Sequence, residues 1–401
     1  MKRHYLSTAL SCLLILALAF SVNAVSRSGR IRGSIRVGFL FENDEATPYT
    51  YNFSLARDAL ERTLQDRVEI LTMSNVLASE TDEPIRSLVR QGCRMIFSNG
   101  SSDQILALAE SYPEVTFCQA SYFDATGMTL PDNYHSFKGA IHEVRYASGV
   151  AAGLKLRELI DSGKLAPEDA WAGYVAAFPY PEVISGYTAF LLGIRSVAPE
   201  ARLRVRYANT WSHFSEEKAT AEQLIADGCT VLAYDTDTIG PVVACEEADH
   251  PVYAVGYNMS MMDIAPNSAL LSVRINWAPY VVAAVKAVLE GRDIERALPG
   301  SVHGNDVCAG LKQNWVELME LNPTLIAPGT QEKLAEVTEG IIKGSLPIFQ
   351  GEYIGVNPDD ESDVIDLRNG YTECAASSCP TFRWILRDVI EIETDRETAS
   401  G

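Results

Sequence analysis

Two aspartates stand where an apolar run ends near the middle of the chain. Asp235 and Asp237 directly follow the run 230–234, and Thr238 comes next. Carboxylates at this spacing after a strand could hold Mg²⁺, and the first could be the nucleophile of a phosphoryl transfer. They could equally accept hydrogen bonds from the N–H groups of a ligand, or cap the next helix. The pair alone leaves these alternatives open.

The rest of the sequence lacks the common patterns of catalytic and metal-binding chemistry. The six histidines are scattered, and no spacing joins one of them to a nucleophilic Ser or Cys and an orienting carboxylate. Neither of the phosphate-binding patterns Gly-x-x-x-x-Gly-Lys and Gly-x-Gly-x-x-Gly is present, and there is no Cys-x-x-Cys pair. We therefore expect a protein that is not an enzyme, with no catalytic residue, no metal site and no cofactor.

Short apolar runs and helical patterns alternate along the first third of the chain. The strand-like runs are 36–41, 68–72, 94–98 and 115–119, and the helical patterns between them are 51–65, 82–91 and 103–111. Short buried strands separated by helices predict a parallel sheet that is covered on both faces. The chain is therefore expected to be an α/β protein.

The same order of elements recurs after about 136 residues. Gly228 and Cys229 repeat Gly92 and Cys93, the run 252–255 repeats 116–119, and Asp235 repeats Asn99. A near-constant offset predicts two similar lobes in tandem. Ligands bind at the carboxyl ends of the strands in open sheets of this kind. We therefore predict the type I periplasmic binding protein architecture: two similar doubly wound parallel-sheet lobes with a ligand cleft between them.

The same patterns set the expected domain boundaries. An N-terminal α/β lobe covers 30–145 and is completed by part of 275–310, and a C-terminal α/β lobe covers 165–275. A last segment, 300–401, is expected to pack back across the lobes. The Gly- and Ala-rich helix 139–160 is expected to lead to the first crossing between the lobes, and the runs after Leu270 and near 300–310 to the others.

The N-terminus has the layout of a secretory signal peptide. A basic start is followed by an apolar stretch from Leu6 to Val22, and small residues stand at the −3 and −1 positions of a cleavage site after Ala24. The alternative is a membrane anchor, for which about 17 apolar residues are at the low end. Cys12 lies inside the apolar stretch and does not indicate a lipoprotein. We expect residues 1–24 to be removed and the protein to be periplasmic.

The net charge indicates which partners are disfavoured, and the positions of the cysteines indicate which of them could form disulfides. The formal net charge of −20 argues against nucleic acid as a partner. Cysteines of an exported protein can pair, and Cys374 and Cys379 flank a short Ala/Ser stretch that a disulfide could close. The remaining cysteines after the signal peptide sit beside apolar runs and are expected to be buried free thiols; they are Cys93, Cys118, Cys229, Cys245 and Cys308.

Several motifs resemble one protein family in their order along the chain. They are the run 173–184, Asn209-Thr210-Trp211, the run 271–280, the run 347–351 and the late Trp384. Together they resemble the BMP (basic membrane protein, or Med/PnrA-like) family of ABC transporter substrate-binding proteins, over about residues 35–390. The resemblance implies import of a purine nucleoside or nucleobase, held between aromatic rings. It also implies an ABC permease in the membrane as a partner, and we expect the protein to be a monomer.

The resemblance points to particular side chains that would stack on the purine and match its polar edge. The aromatic candidates are Tyr51 with the nearby Tyr49, then Trp211, Trp277 and, more weakly, Phe178. The polar candidates are Asn52, Asn99, Asp235, Asp237, Asn258 and Asn276. Glu182 is a weaker candidate, because its carboxylate could serve only to stabilise the first turn of its helix. Tyr51 could instead pack in the core, and Trp277 could simply pack at a helix start.

Two departures from the family pattern bear on the ligand. Asn258 stands where many family members with nucleoside ligands have Asp, and Ile275 with Asn276 stand in place of a family Lys. Both changes favour a free base such as adenine over a nucleoside.

Three further hypotheses stay open at this point. The first is a binding protein of the same fold for a sugar or amino acid, although Arg274 is the only arginine near a predicted cleft segment. The second is a ligand sensor that docks to a membrane kinase in place of a permease. The third is an enzyme: a haloacid-dehalogenase-like, Mg²⁺-dependent phosphatase around Asp235 and Asp237.

Overall fold

The computed structural model describes residues 31–393 apart from residues 32, 101, 102, 121 and 122. The predicted signal peptide, residues 1–24, lies outside the described residues. Within the described part of the chain, no helix is long and apolar enough to cross a membrane. The chain folds as two parallel-dominated sheets with helices on their faces, so the predicted fold class is confirmed.

The first sheet is built from alternating strands and helices, as the apolar periodicity predicts. Its neighbouring strands run in the order β2-β1-β3-β4-β5, and all these pairs are parallel. The elements are β1 (Ile35–Leu40), α1 (Pro48–Leu64), β2 (Val68–Met73), α2 (Asp82–Arg90), β3 (Cys93–Ser98), α3 (Asp103–Ser111), β4 (Thr116–Ala120) and β5 (Tyr134–Gly139).

The second sheet repeats this topology. Its order is β7-β6-β8-β9-β10, again with parallel pairs, so β6 to β10 correspond one to one with β1 to β5. The elements are α4 (Ile141–Asp161), β6 (Trp171–Ala176), α5 (Pro181–Arg195), β7 (Arg202–Tyr207), α6 (Phe214–Ala226), β8 (Val231–Tyr234), α7 (Gly240–Glu246), β9 (Tyr253–Tyr257) and β10 (Ala269–Ile275).

The chain crosses between the two sheets at three neighbouring points. It crosses after β5, it returns after β10, and it leaves the first sheet again after β12 (Asp306–Ala309), a strand that pairs with β5. The Ala140 N–H donates to the Ala309 oxygen at 2.9 Å, and the Asn276 N–H donates to the Trp315 oxygen at 2.8 Å. The elements of this part are α8 (Ala278–Glu290), α9 (Ile294–Ala297), β11 (Ser301–His303), β12 (Asp306–Ala309) and β13 (Val316–Leu318). Three adjacent crossings form a hinge about which two lobes can close.

The C-terminal region is distributed over both lobes. Helix α10 packs on α4, a small antiparallel sheet joins β14, β15 and β16, and β17 adds a parallel strand beside β7. These elements are α10 (Thr330–Lys343), β14 (Ile354–Asn357), β15 (Asp360–Asp366), β16 (Ile385–Leu386) and β17 (Ile390–Ile392).

A disulfide joins Cys308 on β12 to Cys374 in the C-terminal region, with Cα atoms 6.2 Å apart. The pairing of Cys374 with Cys379, which the sequence left open, is therefore not formed, and the expectation that Cys308 is a free thiol is wrong. Closeness in sequence favours a bond between Cys374 and Cys379, whereas the fold brings Cys374 back against the first sheet. The described free thiols, all buried, are Cys93, Cys118, Cys229, Cys245 and Cys379.

Helices α4 and α5 approach so closely that glycine is required at their contact. A Cβ atom on Gly149 would lie 2.0 Å from the Phe190 carbonyl oxygen, and one on Gly193 would lie 2.0 Å from the Tyr146 carbonyl oxygen. Since both obstacles are backbone atoms, no side-chain rotation can relieve the overlap. The contact fixes α4, the helix after the first crossing, onto the second lobe.

Gly149→Ala is expected to lower the free energy of unfolding by about 1–3 kcal/mol, because the added methyl group would push the two helices apart. Gly186→Ala is the matched control on α5, since its Cβ would make an ordinary 3.5 Å contact with the Tyr174 hydroxyl. That variant is expected to keep or slightly gain stability, because alanine favours the helix. Urea denaturation of both variants checks this; equal effects would contradict the close-approach explanation.

Candidate functional site

A cavity of about 460 Å³ lies between the lobes. It is lined by residues that follow β1, β3, β4, β6, β7, β8 and β10 and by the last residue of β9, where the carboxyl ends of the parallel strands meet. Asn99 and Asp235, the repeat partners, both line it. The cavity is therefore where the two-lobed topology predicts a ligand, and its volume is within the range of about 300–1,000 Å³ that is usual for small-molecule sites.

Each lobe contributes aromatic rings to the cavity. On the second lobe, Trp211 packs against Phe178 and Tyr180, with ring centroids 5.8 Å and 6.4 Å away. Tyr180 and Trp211 line the cavity, whereas Phe178 contacts both rings without lining it. On the first-lobe side, Tyr49 and Trp277 line the cavity with centroids 6.4 Å apart. The site therefore offers aromatic surfaces from both lobes.

Tyr49, and not Tyr51, is the tyrosine of α1 that lines the cavity. Its hydroxyl donates to the Asn99 carbonyl oxygen at 3.0 Å. Tyr51 is 41% exposed and does not line the cavity. Residues two apart point to different sides of a helix, so the two tyrosines cannot both face the cleft. The structure thus contradicts the prediction that Tyr51 faces the cleft.

Of the predicted amides, only Asn99 lines the cavity. Its Oδ1 accepts from the Glu42 N–H at 2.9 Å, and its Nδ2 is buried without a partner among the described residues. Asn52 and Asn258 instead face each other, with Asn52 Nδ2 also donating to the Ile275 oxygen at 2.7 Å. Both are buried outside the cavity lining, so the structure places them in a contact beside the hinge and not at the ligand's edge.

Asn276 also lies outside the cavity lining. Its Nδ2 donates to Glu317 at 2.7 Å, and its Oδ1 accepts from the Ala278 N–H at the start of α8. Arg274 pairs with the same Glu317 at 2.6 Å. The arginine that lines the cavity is Arg383, so the expectation that Arg274 is the only arginine near the cleft is wrong.

Asp235 and Asp237 both line the cavity and both are buried. Burial raises the pKa of Asp235 to about 7, against the opposing charge of Arg145, and its carboxylate accepts from the Ala177 N–H at 3.0 Å. Burial, and after it the charge of Glu217, raises the pKa of Asp237 well above its ordinary value. Within the described part of the chain, no group of three or more His, Cys, Asp or Glu side chains is placed to hold a metal ion. Near neutral pH the Asp235 carboxyl can accept or donate a hydrogen bond to a ligand.

An ion pair joins the lobes at the cavity. Lys138 at the end of β5 contacts Glu182 in the first turn of α5, and both side chains line the cavity. Burial, the largest single effect, would lower the pKa of the Lys138 ammonium, but the charge and hydrogen bond of Glu182 together with the nearby Cys379 and Asp235 raise the pKa overall. Glu182, predicted as a weak candidate, is thus part of the cavity wall, and Lys138 was not predicted.

The C-terminal region supplies a further wall that the sequence did not indicate. Cys379, Pro380, Thr381 and Arg383 line the cavity. The Glu373 carboxylate accepts from the Thr381 and Phe382 N–H groups, both at 2.9 Å, and so shapes this wall. Further lining residues that were not predicted are Glu42, Ala120, Asp124, Tyr180, Pro181, Tyr257 and Ile275. The alternation of strands and helices could have indicated Tyr257, which ends β9, but nothing local marks 379–383.

Comparison with known proteins gives one consistent family. A family model described as ABC transporter substrate-binding protein PnrA-like matches residues 44–347. A purine-binding protein of Brucella abortus is 30% identical over 322 residues, which cover 79% of this chain and 83% of that protein. A putative ABC transporter glucose-binding protein of Haloferax volcanii is 28% identical over 298 residues, covering 74% of this chain and 69% of that protein.

Solved structures agree at the level of the fold. The chain is similar to an ABC transporter solute-binding protein of Aeropyrum pernix with a TM-score of 0.65 and 19% identity, over 82% of this chain and 95% of that protein. The predicted family resemblance is confirmed by the family model and by the purine-binding relative.

Proposed function

The chain belongs to the PnrA-like family of ABC transporter substrate-binding proteins, and from that premise we propose that it captures a purine-type ligand between its lobes. Proteins of this family bind a small molecule and work with a membrane permease. The proposed ligand is a nucleobase such as adenine, or a nucleoside. The proposed role is capture without chemical conversion, in place of the phosphatase hypothesis.

The observation that carries the proposal is the combination of aromatic faces and polar groups around one cavity. Trp211 from the second lobe and Tyr49 with Trp277 on the first-lobe side offer faces on which a flat base can stack. Asn99, Asp235 and Asp237 offer a donor and acceptors suited to the polar edge of a purine. The purine-binding relative from Brucella abortus supports the same ligand class.

Closure of the lobes would couple binding to transport. The Lys138–Glu182 ion pair already connects the lobes at the cavity, and the three adjacent crossings provide the hinge. A ligand that touches both lobes stabilises the closed form and shifts the population toward it. We propose that the permease recognises this closed form, and that export through the predicted signal peptide places the protein in the periplasm.

Glucose is the second candidate ligand. The relative from Haloferax volcanii is named as a putative glucose-binding protein. The cavity also carries Lys138, Arg383 and several carboxylates, which could bind sugar hydroxyls, while an aromatic face could stack on the ring. The two candidate ligands need different binding sites, because only a purine presents two flat unsaturated faces on which aromatic rings can stack.

Isothermal titration after removal of any co-purified ligand tests the proposal. The protein is unfolded, dialysed and refolded, and then titrated with adenine, hypoxanthine, adenosine and glucose. We expect binding of at least one purine and no measurable heat with glucose. Binding of glucose alone would overturn the purine assignment, and mass spectrometry of the small molecule released on the first unfolding gives an independent identification.

A further inference from the structure

A second, smaller chamber opens beside the main cavity and is lined mostly by residues of the second lobe. We call it the inner chamber; its volume is about 40 Å³. It shares five lining residues with the main cavity, which are Lys138, Glu182, Trp211, Asp235 and Tyr257. The inner chamber is therefore continuous with the proposed ligand site, and it has room for an atom group of about the size of one water molecule.

Arg145 lines the inner chamber from α4 and is only 1% exposed. Its guanidinium lies over the rings of Tyr257 and Tyr174, 4.3 Å and 5.6 Å from their centroids. These ring contacts occupy the flat face of the guanidinium, but its N–H groups point outward in the plane and need acceptors. Nη1 is buried and has no hydrogen-bond partner among the described residues.

The hydroxyl of Tyr174 is a second buried group of this kind. Tyr174 is fully buried on β6, and its Oη has no hydrogen-bond partner within the part of the chain that the structure describes. Gly186 lines the same chamber, and a Cβ atom added to it would lie 3.5 Å from the Tyr174 hydroxyl. The hydroxyl is therefore close to the chamber wall. A buried donor without a partner is unfavourable, so two of them beside one chamber point to an acceptor that is bound there.

The missing partner is an acceptor and not a donor. Arginine has only N–H donors, so a ligand amino group facing Arg145 would leave both groups unsatisfied. The Asp235 carboxylate lines the chamber and accepts from the Ala177 N–H, but it makes no hydrogen bond to Arg145 Nη1 or to the Tyr174 hydroxyl. A neutral carbonyl or hydroxyl oxygen fits best, because it satisfies the donors without placing a further negative charge beside Asp235 and Glu182.

We propose that the inner chamber binds an oxygen atom of the ligand, held by Arg145 and Tyr174, and that it selects oxygen-bearing over amino-bearing rings. This inference rests on the proposed function for the identity of the ring. For a purine it favours a 6-oxo base such as hypoxanthine over the 6-amino base adenine. Arg145 and Tyr174 are then specificity-determining residues of the site.

The test compares Tyr174→Phe with the control Tyr187→Phe. Tyr187 is fully buried, packs edge-on against Tyr174 at 5.7 Å, and bonds the Tyr207 hydroxyl outside the chamber. Each variant and the wild type are titrated with hypoxanthine, adenine, unsubstituted purine and glucose. Tyr174→Phe should weaken hypoxanthine binding by about 2- to 10-fold and leave purine unchanged. Because the variant removes an unpaired hydroxyl, its stability without ligand should not fall, which a purely structural role would not predict.

The outcomes separate this inference from the proposed function. If the wild type binds glucose and no purine, the proposed function fails, and loss of glucose affinity in Tyr174→Phe still supports the chamber. If hypoxanthine binds equally well to Tyr174→Phe and Tyr187→Phe, the chamber inference is overturned and the purine assignment stands. If no probe binds the wild type, both are overturned. A crystal structure of the complex with only water near Arg145 and Tyr174 would also overturn the inference.

Discussion

Trp211→Ala is expected to weaken the binding of adenine and of hypoxanthine by about 10- to 100-fold. Stacking of a base on an aromatic side chain contributes about 1–3 kcal/mol, and each 1.4 kcal/mol is a factor of ten in affinity. Trp211 lines the cavity and is supported by Phe178 and Tyr180, so its ring is held in place before a ligand arrives. Trp211→Phe keeps an aromatic face and should lose much less affinity. Isothermal titration of both variants measures the difference.

The matched pair Tyr49→Ala and Tyr51→Ala supplies the control for this result. The two residues share α1 and differ in side, since Tyr49 lines the cavity and Tyr51 is exposed. Tyr49→Ala should weaken purine binding and Tyr51→Ala should not. If Trp211→Ala binds as tightly as the wild type, the stacking model is wrong. If Tyr51→Ala is the tyrosine variant that loses affinity, the prediction from the family pattern is right and the geometry of the cleft is wrong.

The fold was predictable from sequence because its signals are local and repeated. The apolar run 94–98 and the helical pattern 103–111 correspond to β3 and α3 almost residue for residue. The offset of 136 residues pairs Gly92 with Gly228, and both adopt positive φ, of 85° and 88°, at the same turn before a strand. A repeated turn that requires glycine is a strong signal, because few residue types accept that conformation.

The candidate site was predictable only where side chains directly follow strands. Asn99 and Asp235 end their strands, and topology alone places them at the cavity. Asn258 also follows a strand, but with a φ of 65° its side chain faces Asn52. The direction of the Asn258 side chain depends on this backbone angle, and the periodicity of apolar residues in a strand does not predict it. Arg145 lies within the long helix α4, and its role becomes visible only through its contacts with Tyr174 on β6 and Tyr257 on β9.

The C-terminal wall could not be predicted because it depends on tertiary contacts across the whole chain. Thr381 and Arg383 lie at the cavity in a segment that the Cys308–Cys374 disulfide and a hydrogen bond from the Ser378 N–H to Asp306, at 2.6 Å, hold against the first lobe. Neither contact has a signature in the local sequence. This wall lies beyond the part of the chain that matches the family model, which ends at residue 347.

The disulfide that anchors this wall should be important for stability. It links residues 66 positions apart, and the loop-closure relation gives about 4 kcal/mol for a loop of this length. Cys308→Ser combined with Cys374→Ser is therefore expected to lower the free energy of unfolding by about 2–5 kcal/mol in urea denaturation. Cys379→Ala is the matched control, since Cys379 is also buried but is a free thiol. It should keep the disulfide and lose far less stability.

The same double variant should also weaken ligand binding, because the cavity residues Cys379, Pro380, Thr381 and Arg383 follow Cys374 within nine positions. Without the disulfide, the wall keeps the Ser378–Asp306 bond and the bond from the Ala125 N–H to Ser377. These two bonds leave the wall less firmly attached to the first lobe than the disulfide does. Ligand binding would then have to order the wall, and the conformational entropy lost in doing so would reduce the affinity. Titration of the double variant with hypoxanthine measures the loss, and non-reducing peptide mapping checks the pairing. A wild-type peptide linking Cys374 to Cys379, or unchanged affinity in the double variant, would contradict a wall positioned by this disulfide.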